Sequence, residues 1–373
     1  MLSPRYLLPG LHKRFTDALK VTLDQSVSWY HRRMSPSHQI NSVAIIGAGL
    51  AGISCAVALR KSIDAVTVFE QESQPGGRII SRRHDVYQFD SGAQYFTARS
   101  EAFRSQVEEW REQWLVDDWQ AWLVDLQNSE ALSHEDGVTR FIGRPAMNSF
   151  IEDMAELCDV RYDTQIKKIR RIKKEARWQL VDTRGGKHGA FDAVLLAVPA
   201  PPAATMLSVA PGLAKVAAQV KMTAAWTLMA VFDQPLQMGF DGAYVVSEEL
   251  SWIVRDSGKV ERGDVDGREV WVIHASPEWS EKNAKLSEKK VVRILLDAFA
   301  RVTGHRLPAA VVTATEFWRY ARPVNPLSSG CLYDTELCIG ACGDWCYAAK
   351  VEGAYISGVT MAARVLQNAG TEQ

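Results

Sequence analysis

Three glycines stand at the spacing of a phosphate-binding turn: Gly47, Gly49 and Gly52 form the pattern GxGxxG. The first glycine permits a tight turn, the second lets the backbone approach a pyrophosphate, and the third lets a helix pack closely on a strand. The helix that follows would direct its free amide groups and the positive end of its dipole at the phosphates. The chemistry indicated is binding of a dinucleotide through its pyrophosphate.

A carboxylate follows at the place where a dinucleotide needs one. Glu70 ends the segment Ala65–Glu70 (AVTVFE), which alternates as a strand does. A carboxylate at the end of the second strand of a nucleotide-binding unit accepts hydrogen bonds from the ribose hydroxyl groups of an adenosine. GxGxxG alone is a weak signal, but together with Glu70 it predicts a bound dinucleotide.

Two further stretches resemble flavoproteins of the glutathione-reductase and amine-oxidase types. Gly76-Gly77-Arg78 resembles the stretch whose arginine lies near the phosphates and ribityl chain of FAD, and Gly343-Asp344 resembles the position whose aspartate binds the ribityl chain. A helix beginning at about Val351 would then lie beneath the flavin, where its amides stabilise negative charge on the reduced ring. The resemblance implies FAD as the cofactor.

The elements around these residues follow the order of a β–α–β unit. Ser42–Gly47 is an apolar β-branched run, Leu50–Ser62 has helical spacing, and Ala65–Glu70 is the second strand. Near the C-terminus, Leu337–Gly343 is predicted as a buried strand and Glu352–Gln367 as a closing helix. The predicted fold class is α/β, a Rossmann-type FAD-binding domain with an interleaved α+β substrate domain.

The substrate region is expected to be threaded through the nucleotide domain, because no linker or repeat separates the two. Residues 200–330 are irregular in pattern, with strands indicated at Trp226–Phe232 and Val270–His274 and a helix near Glu288–Val302. The predicted divisions are an N-terminal extension at 1–41, FAD-binding segments at 42–95, 161–200 and 331–373, and substrate-domain segments at 96–160 and 201–330. Two interpretations of the extension stay open: a start assigned upstream of a true start at Met34, or an appended amphipathic helix.

The charge balance limits the partners. The 373 residues carry 43 Lys plus Arg against 44 Asp plus Glu, a formal net charge of −1, so nothing indicates nucleic acid or anionic lipid as a partner. The six cysteines lack the paired spacing of a metal site, and no metal is expected. No apolar run approaches the ~20 residues of a membrane-spanning helix and no secretory signal is recognisable, so a cytoplasmic protein without a membrane span is expected.

Beyond the cofactor motifs, a set of further stretches follows in a fixed order along the chain. These stretches are Asp90–Arg99 (DSGAQYFTAR), Ile142–Pro145 with Met147, Val220–Met222, Trp226, Trp271–Ala275, Trp318–Pro323 and Cys342–Cys346. In these stretches the chain resembles renalases of the bacterial type within the flavin amine-oxidase superfamily, and the similarity extends over about residues 43–366. The N-terminal extension lies outside the similarity.

The resemblance implies an FAD-dependent oxidase with a p-hydroxybenzoate-hydroxylase-like fold. Its substrates would be dihydronicotinamide dinucleotides that carry the hydride at the wrong ring carbon, the 2- and 6-dihydro isomers of NADH and NADPH. Hydride transfer to flavin N5 would give NAD(P)+, and O2 would then be reduced to hydrogen peroxide. Since loss of the hydride restores an aromatic ring, positioning is the main requirement and no catalytic side chain is expected.

Carried over residue by residue, the resemblance also implies the contacts of cofactor and substrate. The implied cofactor residues are Gly47, Gly49, Ala51, Gly52, Glu70, Gln71, Gly77, Arg78, Gln94, Tyr95, Ile166, Asp344 and Val351. Among them, Gln94 and Tyr95 would line the flavin, and the backbone at Ile166 would contact the adenine. For the substrate, an aromatic group would wall the nicotinamide ring and a polar group would hold its amide, ribose or phosphates. The aromatic residues are Tyr95, Trp226 and Trp318, the polar ones are Thr97, Arg99, His274 and Arg322, and Ala98 is also expected at the substrate.

Each substrate residue also has a structural interpretation. Most of the 12 tryptophans fill the core, a lone His274 after an apolar strand is often simply packed, and Arg322 can be a surface residue. Two other functional classes stay open: a flavin amine oxidase or desaturase-like enzyme acting on a small amine or isoprenoid, and a non-catalytic FAD-binding protein. Cys331 lies too near Gly343 for the flavin attachment of monoamine oxidases, so non-covalent FAD is expected.

Overall fold

The computed structural model of the chain describes residues 39–262 and 267–370. Both interpretations of the N-terminal extension concern residues 1–38 and lie outside the described ranges. In chain order, the strands are β1 Ser42–Ile46, β2 Ala65–Phe69, β3 Ser81–His84, β4 Tyr87–Asp90, β5 Val116–Asp118, β6 Leu123–Gln127, β7 Glu130–Ser133, β8 Phe141–Gly143, β9 Asp159–Arg161, β10 Ile166–Ile172, β11 Arg177–Asp182, β12 Lys187–Phe191, β13 Ala193–Leu196, β14 Met222–Phe232, β15 Gly242–Val245, β16 Leu250–Arg255, β17 Glu269–Ala275, β18 Ala310–Pro323, β19 Leu332–Asp334 and β20 Ile339–Ala341. The helices are α1 Leu50–Leu59, α2 Glu101–Glu112, α3 Ser149–Glu156, α4 Ala200–Met206, α5 Pro211–Ala217, α6 Pro277–Lys282, α7 Glu288–Thr303 and α8 Val351–Ala369.

The nucleotide-binding part is built on a six-stranded sheet in the order β19-β20-β13-β1-β2-β9, parallel except for β19. The last four residues of β1 are buried, because both faces of the sheet are covered. One face is covered by α1 and α8, which approach so closely that a Cβ at Gly358 would lie 2.2 Å from the backbone oxygen of Ala51. The predicted Rossmann-type fold is confirmed.

The opposite face of this sheet is covered by the three-stranded antiparallel sheet β10-β11-β12 together with α4 and α5. Ile169 and Trp178 belong to the hydrophobic cluster that also holds Val194 of β13. β10 is an edge strand, and its exposed positions carry cations. They are Lys167, Lys168 and Arg170.

The second large sheet has seven strands in the order β18-β14-β17-β16-β15-β6-β7. One of its faces packs on α7 around Trp271 and Phe299. The other face contributes Met229 and Val272 to the core that also contains α1 and α2. The two strands and the helix predicted within residues 200–330 are confirmed as β14, β17 and α7. The rest of this part is more regular than expected, because β15, β16 and β18 of the largest sheet also lie in it.

Alanine substitutions at Gly358, in the contact between α1 and α8, and at Gly212 in α5 should change the stability of the protein in opposite directions. Gly358→Ala would bring its Cβ to 2.2 Å from the Ala51 carbonyl, so we expect the free energy of unfolding to fall by about 1–3 kcal/mol, the usual cost of overpacking. Gly212→Ala in α5 meets no heavy atom within 4 Å and should raise that free energy by about 0.4–1 kcal/mol. Urea denaturation measures both signs, and equal losses in the two variants would contradict the close helix contact.

Candidate functional site

The three glycines of the turn between β1 and α1 have different surroundings. Gly47 has a φ of +106°, and a Cβ there would lie 2.5 Å from the carbonyl oxygen of Ala197. A Cβ at Gly52 would lie 1.9 Å from the carbonyl oxygen of Gly47, so only glycine lets α1 begin this close to the strand. A Cβ at Gly49 would meet no protein atom within 4 Å. The space beside Gly49 is therefore open to a phosphate group.

Glu70 is buried at the end of β2, and its carboxylate points back at the glycine turn. Oε2 accepts a hydrogen bond of 2.6 Å from the Ala48 amide, and Oε1 accepts one of 2.9 Å from the Glu72 amide. Burial raises the pKa of Glu70, while the backbone hydrogen bonds act in the opposite direction. Each oxygen has a second lone pair, so the carboxylate can also accept hydrogen bonds from ribose hydroxyl groups.

The Gly76-Gly77 stretch is held directly against the glycine turn. The Gly76 amide donates a hydrogen bond of 3.0 Å to the Ala48 carbonyl, and Gly76 has a φ of +131°, which glycine adopts at no steric cost. A Cβ at Gly77 would lie 3.4 Å from Cα of Gly49. Arg78 therefore enters the site beside the position of the phosphates.

Arg78 and Asp344, expected at the same cofactor from distant parts of the chain, form a bidentate ion pair. The two bonds measure 2.6 Å from Nη2 to Oδ1 and 3.0 Å from Nη1 to Oδ2. Nη1 also donates a hydrogen bond of 3.0 Å to the Ala321 carbonyl of β18. The amide of Gly343, just before Asp344, donates a hydrogen bond of 2.8 Å to Oγ of Ser357 in α8. The ion pair thus joins both motifs to the last helix.

The other expected cofactor residues lie on elements of the nucleotide-binding part. Ala51 is buried in the first turn of α1, and Val351 begins α8. Gln71 accepts a hydrogen bond of 3.3 Å from Gln165, next to the buried Ile166 at the start of β10. An open backbone at the turn, a carboxylate for a ribose, an arginine–aspartate pair and a helix N-terminus make a set of groups that fits FAD.

The segment Asp90–Tyr95 lies against Arg78. The Ala93 amide donates a hydrogen bond of 3.0 Å to the Arg78 carbonyl. Gln94, expected to line the flavin, uses its side-chain amide inside the protein: Nε2 donates to two carbonyls of the same segment, and Oε1 accepts a hydrogen bond of 2.9 Å from Lys259. The amide of Gln94 therefore fixes the shape of the segment.

A row of side chains that runs across the strands of the seven-stranded sheet faces the segment Asp90–Tyr95. The strand register places five residues in the row: Glu316, Thr227, His274, Trp252 and Tyr244. Oγ1 of Thr227 donates a hydrogen bond of 3.0 Å to the Ser91 carbonyl, and Nε1 of Trp318 donates one of 3.2 Å to the same oxygen.

At the other end of the row, Tyr95 contacts two aromatic side chains. Its hydroxyl forms a hydrogen bond with the hydroxyl of Tyr244, and its ring centre lies 5.9 Å from that of Trp252. We call the set Tyr95, Thr227, Tyr244, Trp252, His274 and Trp318 the aromatic wall. It brings together three of the expected substrate residues, namely Tyr95, His274 and Trp318.

Two titratable side chains of the aromatic wall are neutral around pH 7. Burial and the nearby ammonium of Lys259 lower the pKa of His274 to about 4. Burial and the hydrogen bond with Tyr244 raise the pKa of Tyr95 to about 12. Arg140, whose guanidinium lies 5.2 Å from the centre of the Tyr95 ring, acts on that pKa in the opposite direction.

Trp226 does not reach the aromatic wall. It is adjacent to Thr227 in β14, so its side chain lies on the opposite face of the sheet. There its Nε1 donates a hydrogen bond of 3.3 Å to the Asn283 carbonyl, and its ring centre lies 4.8 Å from that of Phe317. The structural interpretation of this tryptophan, packing in the core, is the one that the structure supports.

The remaining expected substrate residues lie outside the aromatic wall. Thr97 and Ala98 are half-buried, and the side chains of Arg99 and Arg322 are exposed. The amide of Arg99 donates a hydrogen bond of 3.2 Å to the carboxylate of Glu352 in the first turn of α8. The backbone of Arg99 is therefore fixed near the start of the helix expected beneath the flavin.

Four residues of this region were not predicted from the sequence: Thr227, Tyr244, Trp252 and Lys259. Alternation along β14 and β16 could have shown which side chains share a face, but only the register of the strands shows which ones are neighbours. Lys259 belongs to no motif, and its fully buried position has no signal in the sequence.

Within the described residues, neither a disulfide nor a cluster of metal-binding side chains lies at the site. All six cysteines are free, and burial raises the pKa of the Cys331 thiol to about 11. Within residues 39–262 and 267–370, no group of three or more His, Cys, Asp or Glu side chains could hold a metal ion. No helix in the same ranges is long and apolar enough to cross a membrane.

Gly49→Ala is expected to leave the melting temperature of the FAD-free protein unchanged but to weaken FAD binding, because the new methyl group occupies the space that a phosphate needs. A loss of about tenfold or more in affinity, about 1.4 kcal/mol, would be measured by flavin titration. Gly52→Ala is the matched control: its methyl group meets the Gly47 carbonyl at 1.9 Å, so both melting temperature and affinity should fall. Wild-type affinity in Gly49→Ala would contradict a phosphate site at this turn.

Two protein families match different parts of the chain. Residues 45–110 match the NAD(P)-binding Rossmann-like domain, and residues 120–366 match the flavin containing amine oxidoreductase family. The second match covers more than half of the chain.

Curated relatives match over short segments. Coproporphyrinogen III oxidase of Staphylococcus aureus is 46% identical over 61 residues, which are 16% of this chain and 13% of that protein. The tRNA 5-methylaminomethyl-2-thiouridine biosynthesis bifunctional protein MnmC of Magnetococcus marinus is 55% identical over 40 residues, 11% of this chain and 6% of that protein. The matched segments span far less than two thirds of these relatives.

Solved structures share the fold over most of the chain. A candidate protoporphyrinogen oxidase from Exiguobacterium sp. 255-15 aligns with a TM-score of 0.71 at 12% identity, covering 90% of this chain and 100% of that one. Putrescine oxidase bound to putrescine aligns with a TM-score of 0.63 at 14% identity, covering 88% and 99%. Reduced UDP-galactopyranose mutase aligns with a TM-score of 0.69 at 11% identity, covering 88% and 96%. Since these identities are low, the likeness establishes the fold, whereas the family match and the dinucleotide site together establish that the chain belongs to the flavin-containing amine oxidoreductase family and binds FAD.

Proposed function

We propose that the protein is an FAD-dependent oxidase of 2- and 6-dihydronicotinamide dinucleotides, which returns NAD(P)+ and makes hydrogen peroxide. The observation that supports this most is the aromatic wall, which is attached to the segment that contacts Arg78 of the cofactor site. A dihydronicotinamide ring is planar and uncharged, so aromatic side chains suit it. The sequence stretches shared with renalases of the bacterial type point to the same substrates.

The electrostatics of the aromatic wall suit a reaction without proton abstraction. Loss of a hydride from the 2- or 6-position restores an aromatic pyridinium directly, so the protein must align the ring but need not supply a base. His274 and Tyr95 are neutral around pH 7 and offer no strong base. When bound, FAD supplies the hydride acceptor, and O2 reoxidises it.

The phosphates of a dinucleotide substrate need cations at the entrance of the site. Arg99 and Arg322 have exposed side chains. Arg322 follows Ala321, whose carbonyl accepts a hydrogen bond from Arg78. The amide of Arg99 is held by Glu352 at the start of α8. We assign the substrate phosphates to these two arginines because both are attached to elements of the cofactor site and reach solvent.

The alternative within the same family is an amine oxidase or desaturase-like reaction on a small amine or isoprenoid. The family match and the fold shared with putrescine oxidase support it. The rings of Tyr95, Tyr244 and Trp252 would also suit an amine, since aromatic faces attract cations.

Anaerobic stopped-flow mixing with the flavin absorbance as readout separates these functions. We expect a 2- or 6-dihydronicotinamide isomer to bleach the flavin within one turnover. Ordinary 4-dihydro NADH should react far more slowly, because the same pocket would place its hydride carbon elsewhere. Fast reduction by simple amines with no response to either isomer would overturn the proposal in favour of an amine oxidase. No reduction by any of them would favour a non-catalytic FAD-binding protein.

Two tryptophan substitutions test whether the aromatic wall holds the substrate. Trp318→Phe removes the hydrogen bond to Ser91, and we expect flavin reduction by the isomers to slow by about 2- to 10-fold, the value of one hydrogen bond, with FAD retained. Trp226→Phe is the matched control, because it removes an indole hydrogen bond on the opposite face of the sheet and should leave this rate unchanged. Equal effects of the two substitutions would place the substrate elsewhere.

The pKa values of the aromatic wall predict that flavin reduction is independent of pH near neutrality. His274 has a pKa of about 4 and Tyr95 one of about 12, so neither changes its charge between about pH 6 and about pH 9. Single-turnover rate constants measured at saturating isomer over this range should be constant. A step near pH 6.5, about the ordinary pKa of histidine, that disappears in His274→Gln would show that His274 is charged in the working enzyme.

A further inference from the structure

Four charged side chains form a buried cluster between the end of β4 and the turn after β16. This buried quartet consists of Asp90, Asp256, Lys259 and Arg262, with side-chain exposures between 0% and 1%. Oδ2 of Asp90 lies 2.7 Å from Nζ of Lys259 and 2.6 Å from Nη2 of Arg262, and Oδ1 of Asp256 lies 2.7 Å from the same Nζ. The formal charges of two carboxylates and two cations cancel, while burial and the neighbouring Asp90 raise the pKa of Asp256.

The two cations of the buried quartet have different further contacts. Arg262 donates to the carbonyls of Gly143 and Pro145, so it fixes the loop after β8. Lys259 donates a hydrogen bond of 2.9 Å to Oε1 of Gln94. The same ammonium donates a hydrogen bond of 2.7 Å to Oδ2 of Asp90, whereas Oδ1 of Asp256 lies at ion-pair distance without a hydrogen bond.

Gln94 transmits this contact to the segment Asp90–Tyr95. Its Nε2 donates to the carbonyls of Asp90 and Gly92. If the amide turned over, its NH2 group would face the ammonium of Lys259 and its oxygen would face two carbonyl oxygens. The ammonium therefore selects one orientation of the amide, and this orientation fixes the segment that contacts Arg78 through Ala93.

We infer that Lys259 is a positioning residue of the flavin site, which holds Gln94 and through it the segment Asp90–Tyr95 in place beside bound FAD. Two further groups face the ammonium: the ring of Trp119 at 5.8 Å and the imidazole of His274, whose pKa it lowers. This positioning role of Lys259 does not depend on which substrate reduces the flavin.

Lys259→Met and Arg262→Met are a matched pair, because each removes one buried cation from the same carboxylate of Asp90. Both should lower the melting temperature. Only Lys259→Met releases Gln94, so only this variant should change the visible absorption and circular dichroism bands of bound FAD. Those bands report the surroundings of the flavin, which a loss of stability alone does not alter.

Gln94→Leu keeps the inference testable if Lys259→Met does not fold, because it removes the same contact and leaves the ion pairs of the quartet intact. We expect the same spectral change in this variant, and no further change when Lys259→Met is added. Wild-type flavin bands in Gln94→Leu, or the same change in Arg262→Met, would overturn the inference. If these spectra behave as expected while the dihydronicotinamide isomers fail to reduce the flavin, the proposed function fails and the positioning role stands.

Discussion

The close approach of backbones at the glycine turn is the constraint on which the rest of the cofactor site depends. Gly52 touches the carbonyl of Gly47, and Gly47 is pressed against Ala197 at the end of β13, so a side chain at either glycine would push α1 away from the sheet. Because α8 packs on α1 equally closely, the start of α8 is fixed relative to the turn. The ion pair of Arg78 and Asp344 forms only because these elements are held together at backbone distance.

The aromatic wall is attached to the cofactor side through the segment Asp90–Tyr95. One carbonyl, that of Ser91, accepts hydrogen bonds from Thr227 and Trp318 on neighbouring strands. The opposite side of the segment is bonded to the backbone of Arg78. A shift of the seven-stranded sheet would therefore move the segment and disturb both the aromatic wall and the cofactor site, so the positions of the two are coupled.

The cofactor half could be predicted from the sequence, because the roles of Gly47, Gly49 and Glu70 follow from local backbone geometry and from the order of strand, turn and helix. The aromatic wall could be predicted only in part, because Tyr95, His274 and Trp318 were expected from the sequence whereas Thr227, Tyr244 and Trp252 were not. Trp226 and Thr227 are adjacent in the sequence, and only the sheet that forms around them decides which one faces the cofactor domain. Strand pairing between residues far apart in the chain sets that choice, and it leaves a weak trace in local composition.

The edge strand β10 has a consequence for how copies of this chain meet in solution. An unpaired strand edge offers free backbone groups to any other strand, which is a route to aggregation. Here the exposed positions of that edge carry Lys167, Lys168 and Arg170. A second copy adding in register would set like charges opposite one another, and this repulsion weakens as salt screens it. Crowded molecules of this protein should therefore stay apart along this edge in dilute buffer and approach one another more readily at high ionic strength.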